Sequence, residues 1–152
     1  MTRRKSIIDV LPTIAEAFAA EIIDVSGCLL LNSVQARTSE HSAPPSDPVA
    51  FEATMNKRHL PDILGIRDDS ETRSALVAVG RALIKTWAER IALRFPTRTV
   101  AFYLGGSDSV VIRFHERRSG HPDWINWDDR TFLRASALEI YELSAGGLAR
   151  VV

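Results

Sequence analysis

The chain has a single cysteine, Cys28, in 152 residues, so no disulfide can close within it. Cys28 stands in "CLLL" with no histidine or acid beside it, the setting of a small buried hydrophobe and not of an activated nucleophile. Long apolar runs are missing as well. No segment approaches the roughly 18 consecutive apolar residues needed to span a bilayer, so no membrane partner is expected. Residues 1–22 imitate an export signal, with the twin Arg3 and Arg4 and a later "AFAA", but Asp9, Pro12, Glu16 and Glu21 interrupt the apolar stretch. The expected compartment is therefore the cytoplasm.

Motifs of known mechanism are lacking too. There is no GxGxxG, no GxxxxGK[ST] and no HExxH, so no phosphate cradle and no helical zinc pair can be read, and no cofactor is implied. "GGSD" at residues 105–108 is not an esterase elbow, because its Ser107 lies between two strand patterns and not between a strand and a helix. Internal repeats and coiled-coil heptads are absent from the pattern. Charge of one sign is not in excess: Lys plus Arg equals Asp plus Glu at 19 each, which leaves no molecular field to draw nucleic acid or an anionic surface. Only Lys5, Lys57 and Lys85 are lysines, an arginine bias that suits a bacterial source.

What is present is the balance of a globular protein, 45% apolar and 25% charged, in a chain of one-domain length. Leu11, Ile14, Ala15, Phe18, Ile22 and Val25 have helical spacing, with Thr13 and Glu16 as a capping box and Pro12 just outside. "CLLLNSV" is apolar all round, and periodicity leaves strand and helix open. Residues 37–48 read as a flexible surface loop. Asp47 and Pro48 then open a short helix reaching about His59. Asp68 or Asp69 caps the longest helix, whose stripe is Leu76, Val79, Leu83, Ile84, Trp87, Ile91 and Phe95, and Pro96 stops it.

After Pro96 the period falls to two. Val100, Phe102 and Leu104 precede the Gly-Gly-Ser-Asp turn, and Val110, Ile112 and Phe114 follow it, which is a hairpin signature placing Arg113 and His115 on the opposite face. A final helix is expected from Asp128 or Asp129 to the Gly146–Gly147 pair, with Phe132, Leu133, Ser136, Ile140 and Tyr141 or Leu143 inward. The expected fold is α+β: a mainly helical single domain over residues 1–152, with a long central amphipathic helix, an antiparallel hairpin in a small sheet, and a final helix.

Residues 110–129, "VVIRFHERRSGHPDWINWDD", concentrate the reactive side chains. A metal-dependent hydrolase could use His115, His121 and Asp123, helped by Glu116 or Asp128, since imidazole and carboxylate suit zinc, manganese or iron. The spacing matches no ligand pattern of known mechanism, and "SGHPD" is equally a turn. Single-stranded nucleic acid is a second alternative, because Arg94, Arg98, Arg113, Arg117, Arg118, Arg130 and Arg134 interleave with Phe102, Tyr103, Trp124 and Trp127. Glu116, Asp123, Asp128 and Asp129 make that patch mixed and not basic. Arginine and tryptophan dominate protein interfaces, so the expected role is a protein-binding module of immunity or antitoxin type, contacting its partner through Arg113, Arg117, Arg118, His121, Trp124 and Trp127.

Overall fold

The computed structural model describes residues 7–41 and 43–152. The basic start within residues 1–6 and Ser42 of the expected flexible loop lie outside the described residues.

Helix α1 (Ile7–Ala19) begins earlier than its capping signals suggest and contains Pro12, which is exposed. The apolar stripe of Val10, Ile14, Ala17 and Phe18, packed inward, outweighs the local cap. Ile22 and Val25 belong instead to β1 (Ile22–Val25), paired with β2 (Cys28–Leu31), so "CLLL" is a strand. Ser26 and Gly27 both have positive φ, 52° and 85°, the two-residue turn that matches the twist of a hairpin. Asp24 Oδ1 accepts the Gly27 N–H at 2.8 Å and closes it.

Ser33 caps α2 (Val34–Ser39), which occupies the start of the expected loop. Asp47 caps α3 (Pro48–Met55) through the Ala50 N–H at 3.0 Å. That helix stops short of His59, because Arg58 and His59 leave it to form β3 (Arg58–His59). A short α4 (Leu60–Leu64) follows, and α5 (Arg73–Arg94) is the long central helix. Asp69 Oδ1 accepts the Glu71 and Thr72 N–H groups at its entrance, whereas Asp68 is spent elsewhere, accepting the Val110 N–H and pairing with Arg73.

Strands β4 (Val100–Gly105) and β5 (Val111–Glu116) form the expected hairpin. The final helix does not form as expected. Asp129 caps only α6 (Arg130–Ala135), and the chain then makes a further hairpin, β6 (Glu139–Ser144) and β7 (Gly147–Arg150), with Ala145 and Gly146 at its turn. The molecule is therefore α+β but not mainly helical: among the described residues its strands make a two-stranded sheet and a five-stranded antiparallel sheet in the order β3-β5-β4-β6-β7. The reason lies in β4, whose every residue is buried and whose second edge needs a partner. Alternation along "EIYEL" satisfies it, with Ile140 on one face and Tyr141 and Leu143 reaching the core on the other side.

One face of the large sheet, formed by Val100, Phe102, Leu104, Ile112, Phe114 and Leu143, packs on the α5 stripe. Trp87 meets Phe114 edge-on at 6.0 Å, and Phe102 and Phe114 lie 5.5 Å apart. Each such side chain contributes about 1.5–3 kcal/mol by leaving water. Gly80 lets α5 approach the sheet, since a Cβ there would stand 2.3 Å from Leu104 Cδ1. On the other face Ala101, Tyr103, Ile140 and Leu133 form a second cluster, roofed by Trp124, Ile125 and Trp127 from the 117–129 loop.

Candidate contact surface

The roof is built from paired aromatic and charged groups. Arg113, next to His115 but one on β5, lays its guanidinium over the Trp124 ring at 3.9 Å, and Arg117 does the same over Trp127 at 4.1 Å. Arg117 also grips Asp123 with two parallel bonds of 2.9 and 2.8 Å, and it pairs with Glu142 on β6. Both acids hold it firmly charged. Its backbone N–H donates to Thr99 O at 2.8 Å, so the loop is tied to the sheet at its root.

Beneath the two tryptophans a buried chain of hydrogen bonds can be assigned proton by proton. His115 is fully buried, and its Nδ1 lies 2.9 Å from the Glu116 carbonyl, which can only accept; Nδ1 therefore carries the proton. Nε2 is then an acceptor, taking the Tyr103 O–H at 2.8 Å and the Trp124 backbone N–H at 3.3 Å. Tyr103 Oη in turn accepts the Trp127 indole N–H at 3.1 Å. Burial pushes the His115 imidazole below its usual range, against the pull of the Glu116 carbonyl and Asp123, and it pushes the Tyr103 phenol up.

This arrangement does not bring His115, His121 and Asp123 together as ligands. The Nε2 lone pair is engaged, Asp123 Oδ1 lies 3.9 Å from it and faces Arg117, and His121 is exposed on the loop. Among the described residues no group of three or more His, Cys, Asp or Glu is placed to hold a metal ion. Of the six expected contact residues, His121 is exposed, whereas Arg113, Arg117, Arg118, Trp124 and Trp127 are half-buried.

Arg118 differs from its neighbours in direction. It turns inward to Glu52 of α3, 2.7 Å away, and also meets Glu116 and the Gly27 carbonyl, each at 2.8 Å. Glu52 is fully buried and accepts from three separate segments: the Leu29 N–H at 2.7 Å, the Glu116 N–H at 2.6 Å and Arg118. Burial pushes the Glu52 carboxyl up to about 7, while the Glu116 N–H, Arg118 and the Leu29 N–H pull it down. One turn on, Asn56 accepts the Leu31 N–H and donates to the Leu29 and Phe114 carbonyls, at 2.9, 2.8 and 3.3 Å. Arg98 completes the network by pairing with Asp24 and Glu116. Cys28 lies beside it, buried, with its thiol pushed up to about 11 by desolvation, next to Glu52.

Sequence inspection overlooks Glu52 and Asn56. Their four-residue spacing puts both on one side of α3, but that helix has no clean apolar face to say which side is inside. Among the described residues no helix is long and apolar enough to cross a membrane. Compared with known protein families, curated proteins and solved structures, the chain matches none.

Proposed function

We propose that the chain is a protein-binding module, a small bacterial cytoplasmic protein that neutralises a partner protein in the manner of immunity and antitoxin proteins. Its contact surface is the roof carrying Arg113, Arg117, His121, Trp124 and Trp127, with Arg118 as the anchor beneath. The observation that carries this reading is the stacking of two guanidiniums on two tryptophan rings, each at about 4 Å. Such pairs present large amphipathic side chains in one geometry before a partner arrives, which lowers the ordering cost of association. The chemistry around them supports contact over catalysis, since the polar atoms of His115 and Tyr103 are engaged with each other, the Glu116 carbonyl, the Trp124 N–H and the Trp127 indole, and Asp123 is held by Arg117.

The test changes two residues of the roof itself. His121→Glu with Arg113→Gln alters the charge of the roof without touching the Glu52–Arg118 network. Affinity capture from a bacterial lysate, followed by binding titration with the captured protein, should show affinity falling by about tenfold or more, equivalent to 1.4 kcal/mol, with the melting temperature lowered by only about 1–4 °C for the lost Arg113–Trp124 stack. Equal affinity of the double variant, or capture of no protein by the unaltered chain, refutes the assignment.

A further inference from the structure

A second feature lies on the helical side of the large sheet, away from the roof. An open cleft of about 410 Å³ is bounded by Ala19, Glu21, Ile22, Arg90, Leu93 and Arg94. Its volume is in the range of sites that hold a small ligand or a few residues of peptide. Arg90 and Arg94 are one turn apart on α5, which sets both guanidiniums on the same rim. Each is fixed by one bond to a chain carbonyl, Arg90 to Ala20 O and Arg94 to Ile22 O, so each keeps its other donors free to meet a ligand.

Arg73, Arg81, Arg98, Arg117, Arg118 and Arg150 pair with a carboxylate, whereas Arg90 and Arg94, like Arg58 and Arg113, have no such partner among the described residues. Even Glu21, on the same rim, forms no ion pair with them. Two cations against one anion leave the lining with a charge of +1. Leu93, 86% exposed, lines the same cleft beside them and is the most exposed large apolar side chain among the described residues. An isolated exposed leucine needs no explanation, but one beside two fixed and unneutralised guanidiniums at the lip of a cleft has a chemical complement.

We propose that this cleft binds an acidic, apolar segment of a partner polypeptide, whose carboxylates bridge Arg90 and Arg94 and whose neighbouring aliphatic side chain lies against Leu93 and Ala19. The guanidiniums are preorganised on the protein side, in a fork that a planar carboxylate meets with two parallel bonds. The site stands independently of the roof, and its probe needs no natural partner.

The experiment is an NMR titration of the full chain with an acetylated, amidated hexapeptide alternating leucine and glutamate. Saturable shifts are expected at Ala19, Ile22, Leu93 and Arg94. Replacing glutamate by glutamine in the peptide weakens binding, and so does Arg94→Gln, each removed pair costing about three- to fivefold in affinity. Leu93→Ser weakens it as well and leaves the fold intact, because that side chain is in solvent. Lys85→Gln, an exposed cation elsewhere on α5, leaves it unchanged. The proposal is overturned by the absence of saturable shifts at the cleft, by equal binding of the glutamine peptide, by equal loss in Lys85→Gln, or by shifts confined to residues 117–129.

Discussion

Replacing Tyr103 with phenylalanine removes one oxygen from the centre of the molecule's outer layer. That oxygen donates to His115 Nε2 at 2.8 Å and accepts the Trp127 indole N–H at 3.1 Å, so two hydrogen bonds disappear together. Their loss is not symmetrical. Nε2 keeps the Trp124 N–H at 3.3 Å and is only partly orphaned, and Trp127 is half-buried, so its indole N–H can reach water. At 0.5–1.5 kcal/mol for each net bond, the expected cost is about 1–2 kcal/mol, less than a fully buried unsatisfied pair would exact. For a domain of this size that lowers the melting temperature by roughly 2–8 °C. Urea denaturation at pH 8 measures the stability change, and the Trp127 indole proton in an NMR spectrum reports the local one. It should move toward the position of a water-exposed indole and exchange faster, while the Trp87 indole, on the helical side of the sheet and bonded to Ala17 O at 3.0 Å, stays fixed. A change below about 0.3 kcal/mol with an unmoved Trp127 indole would refute the assigned chain of donors, because removing two real bonds cannot be that cheap.

Other perturbations have equally definite outcomes. Arg118→Met removes the cation that, alone among the described residues, pairs with the buried Glu52, and should destabilise by about 3 kcal/mol at pH 8. Glu52 already sits above its ordinary range, at about 7, and loses a group that holds it down, so its folded value rises further. A carboxyl raised in the folded state stabilises most below its unfolded pKa and loses that contribution as pH rises through the folded one. The variant should therefore lie closer to the unaltered protein at pH 5 than at pH 8 in denaturant titrations. His115, lowered by burial, has the opposite sign: stability is present above the unfolded value of about 6.5 and is lost as pH falls below it, a limb that His115→Phe should lack. Gly80→Ala gains about 1 kcal/mol of helix propensity, but its Cβ must displace Leu104 and Leu60 side chains in a filled core, so net destabilisation of about 1 kcal/mol is expected by thermal unfolding. Asp129→Ala removes the acceptor of the Phe132 N–H at 2.9 Å and should cost about 1 kcal/mol, fraying α6 alone.

Where local signals and tertiary demands agree, the structure follows the pattern. The α5 stripe, the Asp47–Pro48 helix start and the β4–β5 hairpin are all visible in spacing and turn residues. Where they conflict, packing wins. Residues 136–144 have helical spacing after a sound N-cap, yet Ala137 takes φ 48° and the chain turns into β6. The close approach there is strict, since a Cβ on Gly105 would stand 2.1 Å from Ala137 O. Residues 22–31 carry their own hairpin signal, a β-branched run and Ser26–Gly27, but the helical spacing of Ile22 and Val25 with Phe18 masks it.

The outer layer divides in the same way. Alternation along β5 was sufficient to put Arg113 and His115 opposite Phe114, and residue type marked Trp124 and Trp127 as interface-like. That His115 is a satisfied hydrogen-bond node depends on Tyr103, twelve positions away, and on a loop that folds back over it. Arg118 turns inward because Glu52, 66 positions earlier, is buried and needs a cation, and no periodicity records that distance. By itself, then, the chain determined its hydrophobic stripes, its caps and the side of each strand a residue faces, because these depend on neighbours within a turn or two. Only the tertiary structure decided which edge of β4 is paired, which charges are neutralised and which, as at Arg90 and Arg94, are left open, because burial and partner distance belong to the whole fold.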